Sequence, residues 1–118
     1  MSGYKRISVA EAELLLSEHD NVMLLDMRDA LTYCQNHDPR AIHLSDLNLR
    51  TMLKSTPRDM HLVICCYHGH ASQDMAALFA EFDFDNIYSL DGGYAAWQAR
   101  PGQRYRTPAE RIPASIYH

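Results

Sequence analysis

The apolar run from Leu62 to Cys66 is the feature that most constrains the fold of this chain. It contains no charged residue, and it is followed by a short segment with one glycine and then, over 73–82, by apolar residues at helical spacing. An unbroken apolar strand is typical of a parallel sheet that is buried on both faces. The order strand, turn, helix therefore places Cys66 at the carboxyl end of a strand, where open α/β sheets hold their ligands.

This position favours Cys66 as an activated nucleophile. The turn before the helix leaves several backbone N–H groups without intrahelical partners, and these groups can converge on an anion. A thiol with an ordinary pKa near ~8.5 can lose one to several pKa units there, and the thiolate is the reactive form. Cys65 should face the opposite side of the sheet, because strand side chains alternate. We interpret Cys65 as a small buried hydrophobic residue.

The rest of the chain alternates strands and helices. Ser8 and Glu11 have the spacing of a capping box, which predicts the start of a helix. Further strands are predicted near Ile7 and over 22–26, 41–44 and 87–90, and further helices over 30–35, 45–54, after Ser72 and over 94–99. This alternation predicts an α/β fold with a mainly parallel sheet and helices on both faces.

Composition excludes several classes of function. A chain of 118 residues supports one domain, and a net charge of −4 without a run of Lys or Arg argues against nucleic acid as a partner. No apolar segment approaches the ~20 residues of a membrane span, and residues 1–6 lack the apolar core of a signal peptide. Three cysteines without a spacing pattern indicate free thiols in a reducing compartment. We therefore expect a cytoplasmic protein.

Three segments, 24–28, 66–72 and 88–97, together resemble the rhodanese family, and within it the single-domain bacterial members. They are Leu-Leu-Asp-Met-Arg, Cys-Tyr-His-Gly-His-Ala-Ser and Tyr-Ser-Leu-Asp-Gly-Gly-Tyr-Ala-Ala-Trp, in the order and spacing of that family. The resemblance implies a single rhodanese domain over residues 1–118, with a sheet of about five strands and a motif-bearing core of about 7–97. Residues 100–118 are interpreted as a strap packed on the surface of the domain.

The resemblance also implies thiosulfate:cyanide sulfurtransferase activity. The Cys66 thiolate would take the outer sulfur of thiosulfate as a persulfide and pass it to an acceptor such as cyanide, a dithiol or a thioredoxin-like protein. The predicted binding loop comprises Tyr67, His68, Gly69, His70, Ala71 and Ser72. Its backbone amides would stabilise the sulfur anion, and Ser72 would both cap the helix and donate to the sulfur. No cofactor or metal ion is implied, and a monomer is expected.

Three alternatives were weighed against this function. Cysteine phosphatases place an Arg six residues after the cysteine, whereas this chain has Ser72 there. A non-catalytic regulatory or sulfur-carrier module is the main alternative, although such modules commonly lack the cysteine. A metal site at Cys65, Cys66, His68 and His70 is disfavoured, since adjacent strand residues face opposite sides of the sheet.

The sequence assigns roles to several residues outside the loop. His68 and His70 are either solvent-facing or help to attract thiosulfate, and the lack of other cations after the cysteine leaves a different sulfane donor open. Asp26 and Arg28 are interpreted as a structural ion pair. Asp91-Gly92-Gly93 should form a turn beside the loop with glycines at positive φ, and Trp97 should anchor the last helix. His37 and His43 are assigned no catalytic role.

Overall fold

The structure, a computed structural model, describes residues 3–100 as one five-stranded sheet flanked by helices. The strands are β1 (Lys5–Ile7), β2 (Val22–Asp26), β3 (Ala41–His43), β4 (His61–Cys65) and β5 (Ile87–Leu90). The helices are α1 (Val9–Glu18), α2 (Ala30–Gln35), α3 (Leu49–Ser55), α4 (Ala71–Glu81) and α5 (Gly93–Ala99). The predicted alternation of strands and helices is confirmed.

All strand pairs are parallel, and the order across the sheet is β1-β5-β4-β2-β3. The apolar strand β4 is central, as its continuous hydrophobicity requires. In the register between β2 and β4, Asp26 lies opposite Cys65. The carboxyl ends of β2, β4 and β5 therefore meet at one edge of the sheet, and Cys66 follows directly after β4 at that edge.

Each face of the sheet buries its own apolar cluster. Alternation along β4 sends Ile64 to the face covered by α3 and α4, where Phe79 lies. Val63 points to the opposite face, where Ala12 of α1 and Trp97 of α5 pack. The sheet is thus covered by helices on both faces, as predicted.

Helix α3 is shorter than the sequence predicted. It begins at Leu49 and not at Ser45, because side chains before it bind the local backbone in a turn. The Ser45 N–H donates to Asn48 Oδ1 at 2.9 Å, and Asn48 Nδ2 donates to the carbonyl of His43 at 2.8 Å. Such bonds compete with helix formation. Leu47, which falls in the predicted helix over 45–54, precedes α3 and is 96% exposed.

The capping box of α1 is present as predicted, with Ser8 Oγ accepting from the Glu11 N–H and Glu11 Oε1 accepting from the Ser8 N–H. Within residues 3–100, no helix has the length and apolar character needed to span a membrane. The predicted strap over 100–118 lies outside the described residues except for Arg100.

Candidate active site

Cys66 lies between the end of β4 and the first turn of α4, and its sulfur is surrounded by hydrogen-bond donors. The N–H of Gly69 is 3.1 Å from Cys66 Sγ, and the N–H of Ser72 is 3.3 Å from it. The hydroxyl oxygen of Ser72 lies at 3.3 Å as well. The two N–H groups belong to the loop and to the first turn of α4, at a helix N-terminus where an anion is stabilised. The arrangement has the donors that a sulfur anion requires.

The environments of the two adjacent cysteines push their pKa values in opposite directions. Burial raises the pKa of Cys66, but the hydrogen bonds from Ser72, Gly69 and the His68 backbone outweigh it and lower that pKa below the ordinary thiol value. For Cys65, burial among apolar side chains and the nearby Asp26 carboxylate raise the pKa well above that value. Thus Cys66 forms a thiolate at neutral pH more readily than a free thiol, and Cys65 stays protonated.

Of the two roles predicted for Ser72, the structure shows the contact with the sulfur and not the helix cap. Helix α4 begins at Ala71 with His70 at the N-cap, so Ser72 lies inside the first turn and does not cap the helix. Its hydroxyl is fully buried and bonds both to Cys66 Sγ and to the hydroxyl of Ser89, which is 2.7 Å away on β5. The prediction of a helix cap was therefore wrong, because the oxygen is used at the sulfur.

The loop backbone is held from the side by the start of α5. The N–H of Tyr94 donates to the carbonyl of Cys66 at 2.7 Å, and the N–H of Ala95 donates to that of Tyr67 at 3.2 Å. Close approach requires glycine at position 93, since a Cβ there would lie 2.5 Å from the Cys66 carbonyl oxygen. Gly69 has φ +91°, which residues with a Cβ resist, and Gly92 and Gly93 also have the predicted positive φ.

Asp26 and Arg28 form the predicted structural ion pair beneath the site. Both side chains are buried, and Arg28 Nη2 lies 2.7 Å from Asp26 Oδ2. The guanidinium also bonds to the carbonyl of Asn36 at 2.7 Å and lies over the ring of Tyr94 at 3.7 Å. Because its Nε and Nη2 bond to these partners, Arg28 is a scaffold element that fixes the end of β2 beside Cys66.

The remaining loop side chains face solvent. Tyr67 is 45% exposed, and its hydroxyl donates to Asp29 of the β2–α2 connection. The side chains of His68 and His70 are exposed, although the backbone of His68 contributes to the hydrogen bonds that lower the pKa of Cys66. Ala71 is exposed at the start of α4. Of the predicted loop amides, those of Gly69 and Ser72 contact Cys66 Sγ directly.

Asp38 is a structural residue that the sequence did not single out. It is buried, and its carboxylate accepts from Trp97 Nε1 at 3.0 Å and from Arg40 Nε at 3.1 Å. Arg100 Nη2 lies 3.5 Å away. Burial raises the pKa of Asp38, but the bonds from Arg40 and Trp97 outweigh it and hold that pKa at about 2. Trp97 is thereby anchored by a charge as well as by the core.

One residue of the site, Ser89, was missed because it contacts the active loop from a distance in sequence. Ser89 lies 17 positions from Ser72, and no local pattern marks a serine within an apolar strand as a partner of the active loop. The available signal was its place near the carboxyl end of β5, the strand beside β4 in the sheet.

Comparison with known proteins agrees with this geometry. The model of the rhodanese-like domain family matches residues 8–100. The chain is 36% identical over 99 residues to a thiosulfate sulfurtransferase GlpE of Pseudomonas savastanoi pv. phaseolicola, covering 84% of this chain and 92% of that protein. It is 38% identical over 96 residues to the thiosulfate sulfurtransferase GlpE of Pseudoalteromonas translucida, covering 81% and 90%.

Solved structures share the fold at lower identity. The crystal structure of a rhodanese-like domain protein from Staphylococcus aureus superposes with a TM-score of 0.69 at 22% identity, covering 83% of this chain and 94% of that one. A solution structure of a rhodanese-like domain from Anabaena gives a TM-score of 0.70 at 21% identity, covering 87% and 83%. The matched segment includes strands β2 to β5, Cys66 and the loop that surrounds its sulfur, so this chain belongs to the rhodanese-like domain family.

Proposed function

We propose that this protein is a thiosulfate sulfurtransferase that carries sulfur as a persulfide on Cys66. One observation supports the role of Cys66 above all others: its sulfur accepts the N–H groups of Gly69 and Ser72 at the N-terminus of α4. The same donors suit a persulfide, whose charge is spread over two sulfur atoms and is best stabilised by several fixed dipoles. The GlpE relatives, which are named for thiosulfate, support the choice of donor.

The reaction proceeds in two displacements at sulfur. The Cys66 thiolate attacks the outer sulfur of thiosulfate, the sulfur–sulfur bond of the donor breaks, and sulfite leaves with the electron pair. The persulfide anion remains in the loop. Cyanide then attacks the outer sulfur, the bond to Cys66 breaks, and thiocyanate leaves while the thiolate is restored. Covalent catalysis of this kind replaces one difficult transfer by two easier ones.

The same residues argue against phosphoryl transfer. A phosphate dianion requires a guanidinium that binds two of its oxygens, whereas the position six residues after Cys66 holds Ser72. The neighbouring Arg28 is buried, and its Nε and Nη2 bond to Asp26 and to the carbonyl of Asn36, so its charge is already paired. Backbone amides and one hydroxyl suit a soft sulfur anion better than a phosphate.

The intact mass of the protein tests this proposal. After incubation with thiosulfate and removal of excess reagent, we expect a gain of one sulfur atom, and subsequent cyanide should remove it. Cys66→Ala should abolish the gain, and Cys65→Ala should retain it. A regulatory module that does not carry sulfur would show no gain at all, and loss of the gain in Cys65→Ala alone would contradict the assignment of Cys66.

The acceptor is a finer part of the proposal. Cyanide serves as the assay acceptor, and a dithiol or a thioredoxin-like protein are the candidates for the cell. The cytoplasmic location and the monomeric state stay predictions from the sequence.

A further inference from the structure

A groove of about 500 Å³ lies beside the active loop. It is formed by the segments around the carboxyl ends of β2 and β3, by the start of α3 and by the second turn of α4, and its lining includes Met27, Leu47, Leu49 and Met75. The mechanism described above makes no use of it. Its position raises the question of which molecule approaches the sulfur through it.

The groove lies on the same face of the sheet as the Cys66 side chain. Strand alternation sends Cys66 to the side of Ile64, and Met27 and Met75 both pack against the cluster on that side. Met27 follows Asp26, the register partner of Cys65, and its N–H donates to the Cys65 carbonyl at 2.8 Å. Met75 lies one helical turn after Ser72, which bonds to the sulfur. The two methionines therefore flank the approach to Cys66.

The rim of the groove is acidic. Asp29 and Asp46 both line it and are exposed. Asp29 remains ionised, because hydrogen bonds from Thr32 and its own backbone lower its pKa. Arg28 supplies the guanidinium among the described lining residues, and Asp26 neutralises its charge. His43 lines the groove with its Nε2 at 2.7 Å from the Arg28 carbonyl, and the exposed His68 and His70 belong to the loop itself.

We infer that this groove is the acceptor subsite and that it selects thiols that are neutral or positively charged and have an apolar carbon body. This inference rests on the proposed function for its reaction step. The acceptor thiolate attacks the outer sulfur of the Cys66 persulfide, a new sulfur–sulfur bond forms, and the bond to Cys66 breaks. The product is the acceptor persulfide, and Cys66 leaves as the thiolate.

Two carboxylates disfavour an anionic acceptor, and the apolar floor stabilises an alkyl chain. At low ionic strength, the two charges should produce a difference of about tenfold between matched cationic and anionic reagents. Each methylene that is buried should add up to about threefold. Inorganic thiosulfate is a small dianion without an alkyl chain, so neither the acidic rim nor the apolar floor favours its binding. The groove therefore serves the second displacement, in which the acceptor attacks the persulfide.

The first experiment measures access to Cys66 without any sulfur transfer. In a Cys34→Ser background, which removes an exposed thiol, alkyl methanethiosulfonates bearing an ammonium, a neutral or a sulfonate group are reacted with Cys66. The thiolate forms a mixed disulfide and methanesulfinate leaves. We expect the ammonium reagent to react about tenfold faster than the sulfonate reagent at low salt. Asp46→Asn should reduce this ratio to about threefold.

The matched control is Asp20→Asn, which removes the same charge from an exposed position between α1 and β2, at the opposite edge of the sheet. It should leave the ratio unchanged. Equal effects of the two substitutions would overturn the inference, since net charge and not the groove would then be responsible. Equal rates for the three reagents in the parent protein would overturn it as well.

The second experiment uses the persulfide form with ethyl, propyl and butyl thiols, with rates compared per thiolate. Rates should rise with chain length, and Leu47→Ser should flatten the rise, because the exposed Leu47 lines the groove. Leu14→Ser on α1, a leucine 56% exposed on the other face, is the control. A rise that Leu47→Ser leaves intact would contradict the apolar part of the inference.

Failure to load sulfur from thiosulfate would refute the proposed function, whereas the first experiment would still decide the inference.

Discussion

The hydroxyl of Ser72 lies 2.7 Å from the hydroxyl of Ser89, and both side chains are fully buried. A hydroxyl has one proton, so when Ser72 donates it to the Cys66 thiolate, the hydrogen bond between the two hydroxyls must be donated by Ser89 on β5. The relationship makes Ser89 a positioning residue that orients Ser72 towards the sulfur without touching it.

Substitution of the two serines tests this relay. Ser72→Ala should slow sulfur transfer by about tenfold, which corresponds to ~1.4 kcal/mol, because the backbone amides of Gly69 and Ser72 remain in place. Ser89→Ala should slow it less and should raise the pKa of Cys66, measured from the pH dependence of alkylation. In the double variant the effects should be smaller than additive, since both act through one hydrogen bond. Additive losses would contradict the relay.

The alkylation of the cysteines tests the thiolate directly. Cys66 should react with iodoacetamide with an apparent pKa below the ~8.5 of a free thiol, because the donors from Ser72 and Gly69 outweigh burial. The rate should therefore reach its plateau at lower pH than that of a free thiol. Cys65 should not react in the folded protein, since burial raises its pKa. A Cys66 profile at or above the free-thiol value would contradict the role of the loop donors.

The sequence predicted the elements of the site better than their contacts. The apolar strand before Cys66 and the capping box at Ser8 are local patterns, and the structure confirms both. The start of α3 was wrong because Ser45 and Asn48 have competing local hydrogen bonds that periodicity does not show. The helix cap predicted at Ser72 was wrong because the same hydroxyl bonds to the Cys66 sulfur and to Ser89 on β5.

Gly93 offers a test of the contact between α5 and the active loop. A Cβ at this position would lie 2.5 Å from the Cys66 carbonyl and 2.7 Å from the His68 nitrogen, both backbone atoms. Gly93→Ala should therefore displace the loop, lower the free energy of unfolding by about 1–3 kcal/mol and reduce sulfur transfer severely. Gly3→Ala is the matched control, because nothing lies within 4 Å of its added Cβ. Full activity of Gly93→Ala would show that the loop tolerates displacement.

The Asp38 carboxylate, which anchors Trp97, also contributes to the pH dependence of the stability of the protein. Its pKa of about 2 lies below the pKa of an Asp in the unfolded chain. The carboxylate therefore stabilises the folded protein above pH ~3.9, and this contribution is lost as the pH falls towards 2. The shift corresponds to about 2 kcal/mol. Asp38→Asn should lower the free energy of unfolding by about 3 kcal/mol at pH 7, since Arg40 and Arg100 lose one carboxylate partner and keep that of Glu13.

The measurement is urea unfolding of both proteins between pH 7 and pH 2. The difference between wild type and Asp38→Asn should be constant down to about pH 5 and should shrink below it. A difference independent of pH would mean that the carboxylate charge contributes nothing. This residue was beyond the reach of sequence analysis because Trp97 lies 59 positions away and Arg100 lies 62 positions away.

Sulfur and phosphorus chemistry are separated by a single assay on the wild-type protein. With thiosulfate and cyanide we expect turnover that Cys66→Ala abolishes, and with an aryl phosphate we expect none. The physical reason is the donor set: Ser72 offers one hydroxyl at the position where a phosphatase offers the five donors of a guanidinium. Aryl phosphate turnover that is lost in Cys66→Ala would refute the proposed function and leave the fold unchanged.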